Sequence, residues 1–239
     1  MTPLLFAVMA AAGNLLGAAV VVRHARRGIR VIELFLAFGA GFMAATVILA
    51  MLPEAFLRPD APFFVLLGFL AVHLAQHVLT PHFHFGEETH RVSASAGVSA
   101  LIGLSLHTFF DGVAIASGFM VSGELGVLVF LAVVLHKLPE GVTMASVMLA
   151  GGQGKRKAMA AAGGLGLATV AGVLLTEVMS PLAAHGLGLS AGVTLYVAAS
   201  NLVPEFQSKR GWPTAAAFFG GALAFMLTRI LLERWLPQL

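Results

Sequence analysis

Residues 97–149 read GVSALIGLSLHTFFDGVAIASGFM, then VSGE, then LGVLVFLAVVLHKLPEGVTMASVML. The two outer stretches, 97–120 and 125–149, are almost wholly apolar, and each exceeds the roughly 20 residues a helix needs to cross a hydrocarbon core about 30 Å thick. So short a break between them makes the two helices antiparallel neighbours. Outward from this pair the pattern recurs, with apolar runs at 3–22, 31–55 and 62–80 before it and at 157–177, 188–206 and 213–233 after it. The breaks carry turn and charge signals: HARRG, RPDAP, the polar stretch 81–96, GGQGKRK, SPLAAHG and QSKRGWP. The expectation is an all-α membrane protein, a single domain over 1–239 with eight transmembrane helices.

Composition points the same way. Of 239 residues, 59% are hydrophobic and 10% charged, and the mean hydropathy is +0.93. A soluble domain carries about 25% charged residues, so an ordinary soluble enzyme, a disordered region and a coiled coil are excluded. The absence of cysteine removes disulfides, thiolate metal sites and cysteine nucleophiles. The net charge of +3 comes from basic residues in short loops, where it sets topology against anionic lipid rather than binding nucleic acid. One set of alternate loops holds Arg23, Arg26, Arg27, Arg30, Arg91, Lys155, Arg156, Lys157, Lys209 and Arg210; the other side has only Arg58, Arg229 and Arg234. The positive-inside rule then puts both termini outside and 81–96 in the cytoplasm.

Leu52-Pro53-Glu54 closes the second span at its outer end, and Val203-Pro204-Glu205 closes the seventh at its inner end. Similar tails in oppositely directed spans suggest an inverted repeat of spans 1–3 and 6–8 around spans 4 and 5, a 3+2+3 arrangement.

The fourth span contains HTFFDG (107–112) and the fifth HKLPEG (136–141). In each, a histidine precedes a carboxylate by four residues, which places both on one helix face. His107, Asp111, His136 and Glu140 fall near mid-membrane, where an uncompensated Asp or Lys costs about 2.5–3.5 kcal/mol on insertion scales. Two imidazoles and two carboxylates around a dication supply the compensation, and this donor set suits Zn²⁺, Cd²⁺, Fe²⁺ or Mn²⁺ rather than Cu(I). Because the spans are antiparallel, His107 and His136 should meet at one level. The competing reading is a buried Asp111–Lys137 pair that locks the helices, with the histidines bonded to backbone carbonyls.

Eight spans, outside termini, HTFFDG and HKLPEG, supported by LYVAASNLVPE (195–205), resemble the ZIP family of divalent metal transporters in its bacterial form, over essentially the whole chain. The resemblance implies a metal substrate carried towards the cytoplasm, with His107, Asp111, His136 and Glu140 as ligands and Met43 at a position where relatives offer a thioether. It also implies that Thr108, Lys137 and Glu177 stand around a second metal position. Lys137 replaces a ligand there, and its ammonium has no lone pair to give, so one metal is expected, with Glu177 either pairing with Lys137 or ending its span. Along the inner pathway and exit, His73, His77, His82, His84, His90, Asn201 and Glu205 are candidates, while Glu54 and Asp60 are placed to funnel cations at the outer mouth.

The partners expected are a divalent metal ion and the lipid of a bacterial inner membrane, with a second copy of the chain open and no nucleic acid. Two other functions stay open: an intramembrane zinc hydrolase, although Lys137 stands where an H-E-x-x-H motif has its base, and a metal exporter of the cation-diffusion type.

Overall fold

The computed structural model describes residues 2–23, 29–75, 94–202 and 212–235. Helices dominate them. We number these α1 (Pro3–Arg23), α2 (Ile29–Thr46), α3 (Ala61–Leu74), α4 (Ala94–Val121), α5 (Gly123–Ala150), α6 (Lys155–Val178), α7 (Ser180–Tyr196) and α8 (Trp212–Trp235). After α2 come a π-helical turn, Val47–Met51, and one more helical turn, Leu52–Ala55; α7 likewise runs into a π-helical turn, Val197–Leu202. Seven stretches among the described residues are long and apolar enough to cross a membrane, and α3, at 14 residues, is a shorter apolar helix. The span expected at 62–80 is described only as far as Ala75.

One expected boundary is wrong. SPLAAHG (180–186) was read as a break, but only Met179 is non-helical there, with φ −106° and ψ 106°, and α7 already begins at Ser180. Pro181 lies in the first turn of α7, where its missing N–H has no helical partner to lose, so proline starts this helix instead of interrupting it. At the other tight connection Ser122 alone separates α4 from α5, and its Oγ accepts a bond of 3.1 Å from Leu125 N, capping α5.

The π turn in α2 has a local cause. Pro53 has no N–H for the carbonyl of Leu49, four residues earlier. Arg229 of α8 supplies the missing donor, Nη1 to Leu49 O at 2.9 Å.

The helices pack through small residues. α5 lies against α1 and α2, α4 against α5, α6 and α7, α8 against α2, α7 against α3, and α1 also against α6. Four of these crossings share one geometry. Gly17 and Gly141 face each other where α1 meets α5, Gly112 and Gly172 where α4 meets α6, Gly41 and Gly221 where α2 meets α8, and Gly68 and Gly192 where α3 meets α7. In every pair, a Cβ on either glycine would collide with the carbonyl oxygen three residues before the other: Leu138 and Asn14, Thr169 and Phe109, Phe218 and Phe38, Leu189 and Val65. Backbones this close gain dispersion and Cα–H···O contacts, which drive helix association where lipid cancels the hydrophobic effect.

The outward faces are apolar as well. Leu16, Leu66, Leu167, Phe219 and Ile230 are each more than half exposed. Such a surface suits hydrocarbon and not water, and the chain is an integral membrane protein.

Gly41→Val should therefore force α2 from α8 at a cost of about 1–3 kcal/mol or more, read as a lower melting temperature of the detergent-solubilised protein. Gly164→Ala, where a Cβ would meet nothing within 4 Å, should leave that temperature unchanged or slightly higher.

Candidate metal site

The i, i+4 spacing delivers two polar side chains from α4 and two from α5 to one point between the helices. The His107 and His136 rings have centroids 5.4 Å apart. Around them His107, Asp111, His136, Lys137 and Glu140 are all buried, none more than 5% exposed. One nitrogen or oxygen from each of His107, Asp111, His136 and Glu140 can be chosen so that all four lie within 4.8 Å of one another.

Asp111 Oδ2 is the hub. Lys137 Nζ stands 2.7 Å from it, His136 Nε2 3.2 Å and His107 Nε2 3.5 Å. Lys137 Nζ also donates to Glu140 Oε2 at 2.9 Å. Donors about 2.0–2.2 Å from a tetrahedral zinc are themselves about 3.3–3.5 Å apart, so the spacing of both imidazole nitrogens from Asp111 Oδ2 already suits such an ion.

Hydrogen bonding orients the donors. His136 Nδ1 donates to the Ala132 carbonyl at 2.9 Å, which leaves Nε2 of the neutral ring with a lone pair directed at Asp111. Two acceptors 3.2 Å apart need a cation or a proton between them, and a backbone partner of this kind is how a ligating histidine is held. His107 Nδ1 and Glu140 Oε1 are buried with no hydrogen-bond partner. Such atoms are expensive in a bilayer interior, so they mark positions where a ligand or water completes the site.

Lys137 is fully buried and sits on both carboxylates. Glu177 does not share it: that residue is exposed in the last turn of α6. Of the alternatives weighed from sequence, the Asp111–Lys137 pair is thus present, and it is present inside the histidine cluster. Thr108 is also fully buried, but its hydroxyl donates to its own helix, at 3.0 Å from the carbonyls of both Leu104 and Ser105. Met43 is buried in an apolar cluster with Val72, Val193 and Tyr196, against Phe110 of α4. His73 lies on the exposed side of α3 with its Nδ1 3.4 Å from Tyr196 Oη. Asn201 belongs to the π turn after α7, and its side chain is outside the described part, as are His77, His82, His84, His90 and Glu205.

Not every buried polar residue stands in a sequence motif. Asn14 of α1 is fully buried with both side-chain amide atoms unpartnered, and its carbonyl abuts Gly141, next to Glu140. A lone amide within an otherwise apolar run was the available signal.

A family model, ZIP Zinc transporter, matches residues 84–229. The chain belongs to the ZIP zinc transporter family. No curated protein matches it. The matched stretch of this ZIP chain takes in α4 to α7 and most of α8, and so both helices that carry the cluster. The family is one of transporters, and the four donors of the cluster could hold a metal ion.

Lys137→Met would leave two buried carboxylates without their cation. Breaking a buried pair in this way costs about 3–5 kcal/mol, so the variant should melt well below the unmodified protein. Zinc should raise its melting temperature more than that of the parent, as measured by thermal unfolding in detergent with and without the metal.

Proposed function

We propose that this protein carries Zn²⁺, or a divalent ion of like chemistry such as Cd²⁺, Fe²⁺ or Mn²⁺, through the bilayer towards the face with the basic loops. That face is the cytoplasmic side of a bacterial inner membrane. His107, Asp111, His136 and Glu140 hold the ion in transit. The observation that carries this reading is the convergence of two imidazole nitrogens on one carboxylate oxygen at 3.2 and 3.5 Å, near the edge length of a zinc tetrahedron.

Lys137 acts as a resident cation. With neutral histidines, Asp111, Glu140 and Lys137 together have a formal charge of minus one. One dication changes that to plus one, and a second would raise it to plus three in a medium that penalises every unpaired charge. The site therefore takes one metal, which displaces the ammonium from Asp111 Oδ2 as it enters. The same arrangement disfavours hydrolysis, because the side chain next to His136 is an ammonium bonded to two carboxylates and offers no base.

Transport proceeds by alternating access of a 3+2+3 inverted repeat. Helix pairing supports this: exchanging α1 with α6, α2 with α7, α3 with α8 and α4 with α5 turns the α1–α5 contact into α6–α4, α2–α8 into α7–α3, and α2–α5 into α7–α4. The glycine pairs obey the same exchange, and α2 and α7 are each followed by a π turn. The histidines of 81–96, with His73 and His77, receive the released ion.

Uptake of radioactive zinc into proteoliposomes tests the assignment. His107→Ala and His136→Ala should each lower the initial rate about tenfold or more, and equal uptake by both variants and the parent would refute it. Lys137→Asp should raise bound zinc from one ion to two per chain, measured by equilibrium dialysis; a stoichiometry that stays at one would refute the resident-cation account.

A further inference from the structure

On the face opposite the basic loops, a cavity of about 260 Å³ opens between the turn after α2, the start of α3, the end of α4 and the start of α7. His185 lines it, with Nδ1 3.2 Å from Asp60 Oδ2. The His185 ring stacks on Phe64, centroids 3.9 Å apart and planes 16° from parallel, so its orientation is set. Although close to Asp60, Nδ1 makes no hydrogen bond and is shielded from solvent. At the rim of the cavity an imidazole nitrogen and a carboxylate oxygen thus face each other, at the same separation as His136 and Asp111. Arg58 lies on the carboxylate from the other side, Nε to Oδ1 at 3.2 Å and Nη2 to Oδ2 at 3.3 Å, in the relation that Lys137 bears to Asp111.

Two more donors line the cavity. Glu54 is at its wall, and Ser117, 2% exposed with an unpartnered Oγ, is at its α4 side. Ser117 is six residues along α4 from Asp111, or about 9 Å at 1.5 Å per residue. Buried polar atoms without partners are rare, and this one lies between the cavity and the central cluster.

We propose that His185 and Asp60 form a loading subsite for the divalent ion, distinct from the cluster between α4 and α5, with Glu54 and Ser117 leading inward. The proposal rests on the transport reading above for the identity of the cargo. Partial exposure of both residues, 23% and 43%, makes the subsite weak and rapidly exchanging, as a place of entry must be. Arg58 competes with the incoming ion for Asp60.

Its first consequence is kinetic. His185→Ala and Asp60→Asn should each lower zinc uptake about fivefold at limiting zinc, with the loss recovered at saturating zinc, a rise in KM. Arg58→Gln, which removes the competitor, should lower KM, a change that damage to the fold would not produce. Retention of one zinc at the central cluster, measured by equilibrium dialysis, shows that each variant is folded. An unchanged KM in both His185→Ala and Asp60→Asn would overturn the proposal.

Binding gives an independent readout. His107→Ala/His136→Ala protein should still bind zinc weakly by titration calorimetry, and adding His185→Ala should abolish that binding. Weak binding that survives His185→Ala would also overturn the subsite. Uptake by His107→Ala/His136→Ala at the parent's rate would instead refute the central carrier site, so the two failures are distinguishable.

Discussion

The structure is organised around one carboxylate oxygen. Asp111 Oδ2 is approached by an ammonium and two imidazole nitrogens in a buried position where every ionised group must be matched. Lys137 bonds to Asp111 and Glu140 together, and so turns two buried anions into a cluster with one negative charge left over. That residual charge makes the site attractive to a cation. It also requires any ion that enters to compete with a side chain already in place, which favours ready release over tight retention.

Holding these groups in register takes precise helix placement, and the glycine crossings provide it. Gly112 and Gly141 each follow the acid of their motif and bring its helix against α6 or α1 at the level of the cluster. The other two crossings, α2 with α8 and α3 with α7, lie away from it. The molecule is thus tied at four points by backbone contact, while the space between α4 and α5 is left to polar side chains. Contacts of this kind allow no side chain larger than hydrogen at either glycine.

The outer face repeats the central chemistry in weaker form. An imidazole nitrogen 3.2 Å from an aspartate oxygen, with a basic side chain on the same carboxylate, occurs at His185, Asp60 and Arg58 and again at His136, Asp111 and Lys137. Solvent separates the two in strength. Exposed pairs are screened and contribute little, whereas the central pair is buried.

The sequence by itself determined the class of fold, the positions of the apolar runs and the four residues of the cluster. Hydropathy over twenty residues and an i, i+4 spacing are local properties that survive without any knowledge of packing. It misjudged SPLAAHG, because proline reads as a breaker until the helix start beside it is seen, and it left open whether Glu177 pairs with Lys137 or ends its span, because the direction of a long flexible side chain is not a local property. Only the tertiary structure decided that Lys137 lies inside the cluster and bonds to both acids, that Asn14 is buried and unpartnered beside it, and that His185 meets Asp60 across 125 residues of chain. These are contacts between separate helices. They depend on which glycines let which backbones approach, and glycine is too frequent here, at 27 residues, for its pairings to be read along one dimension.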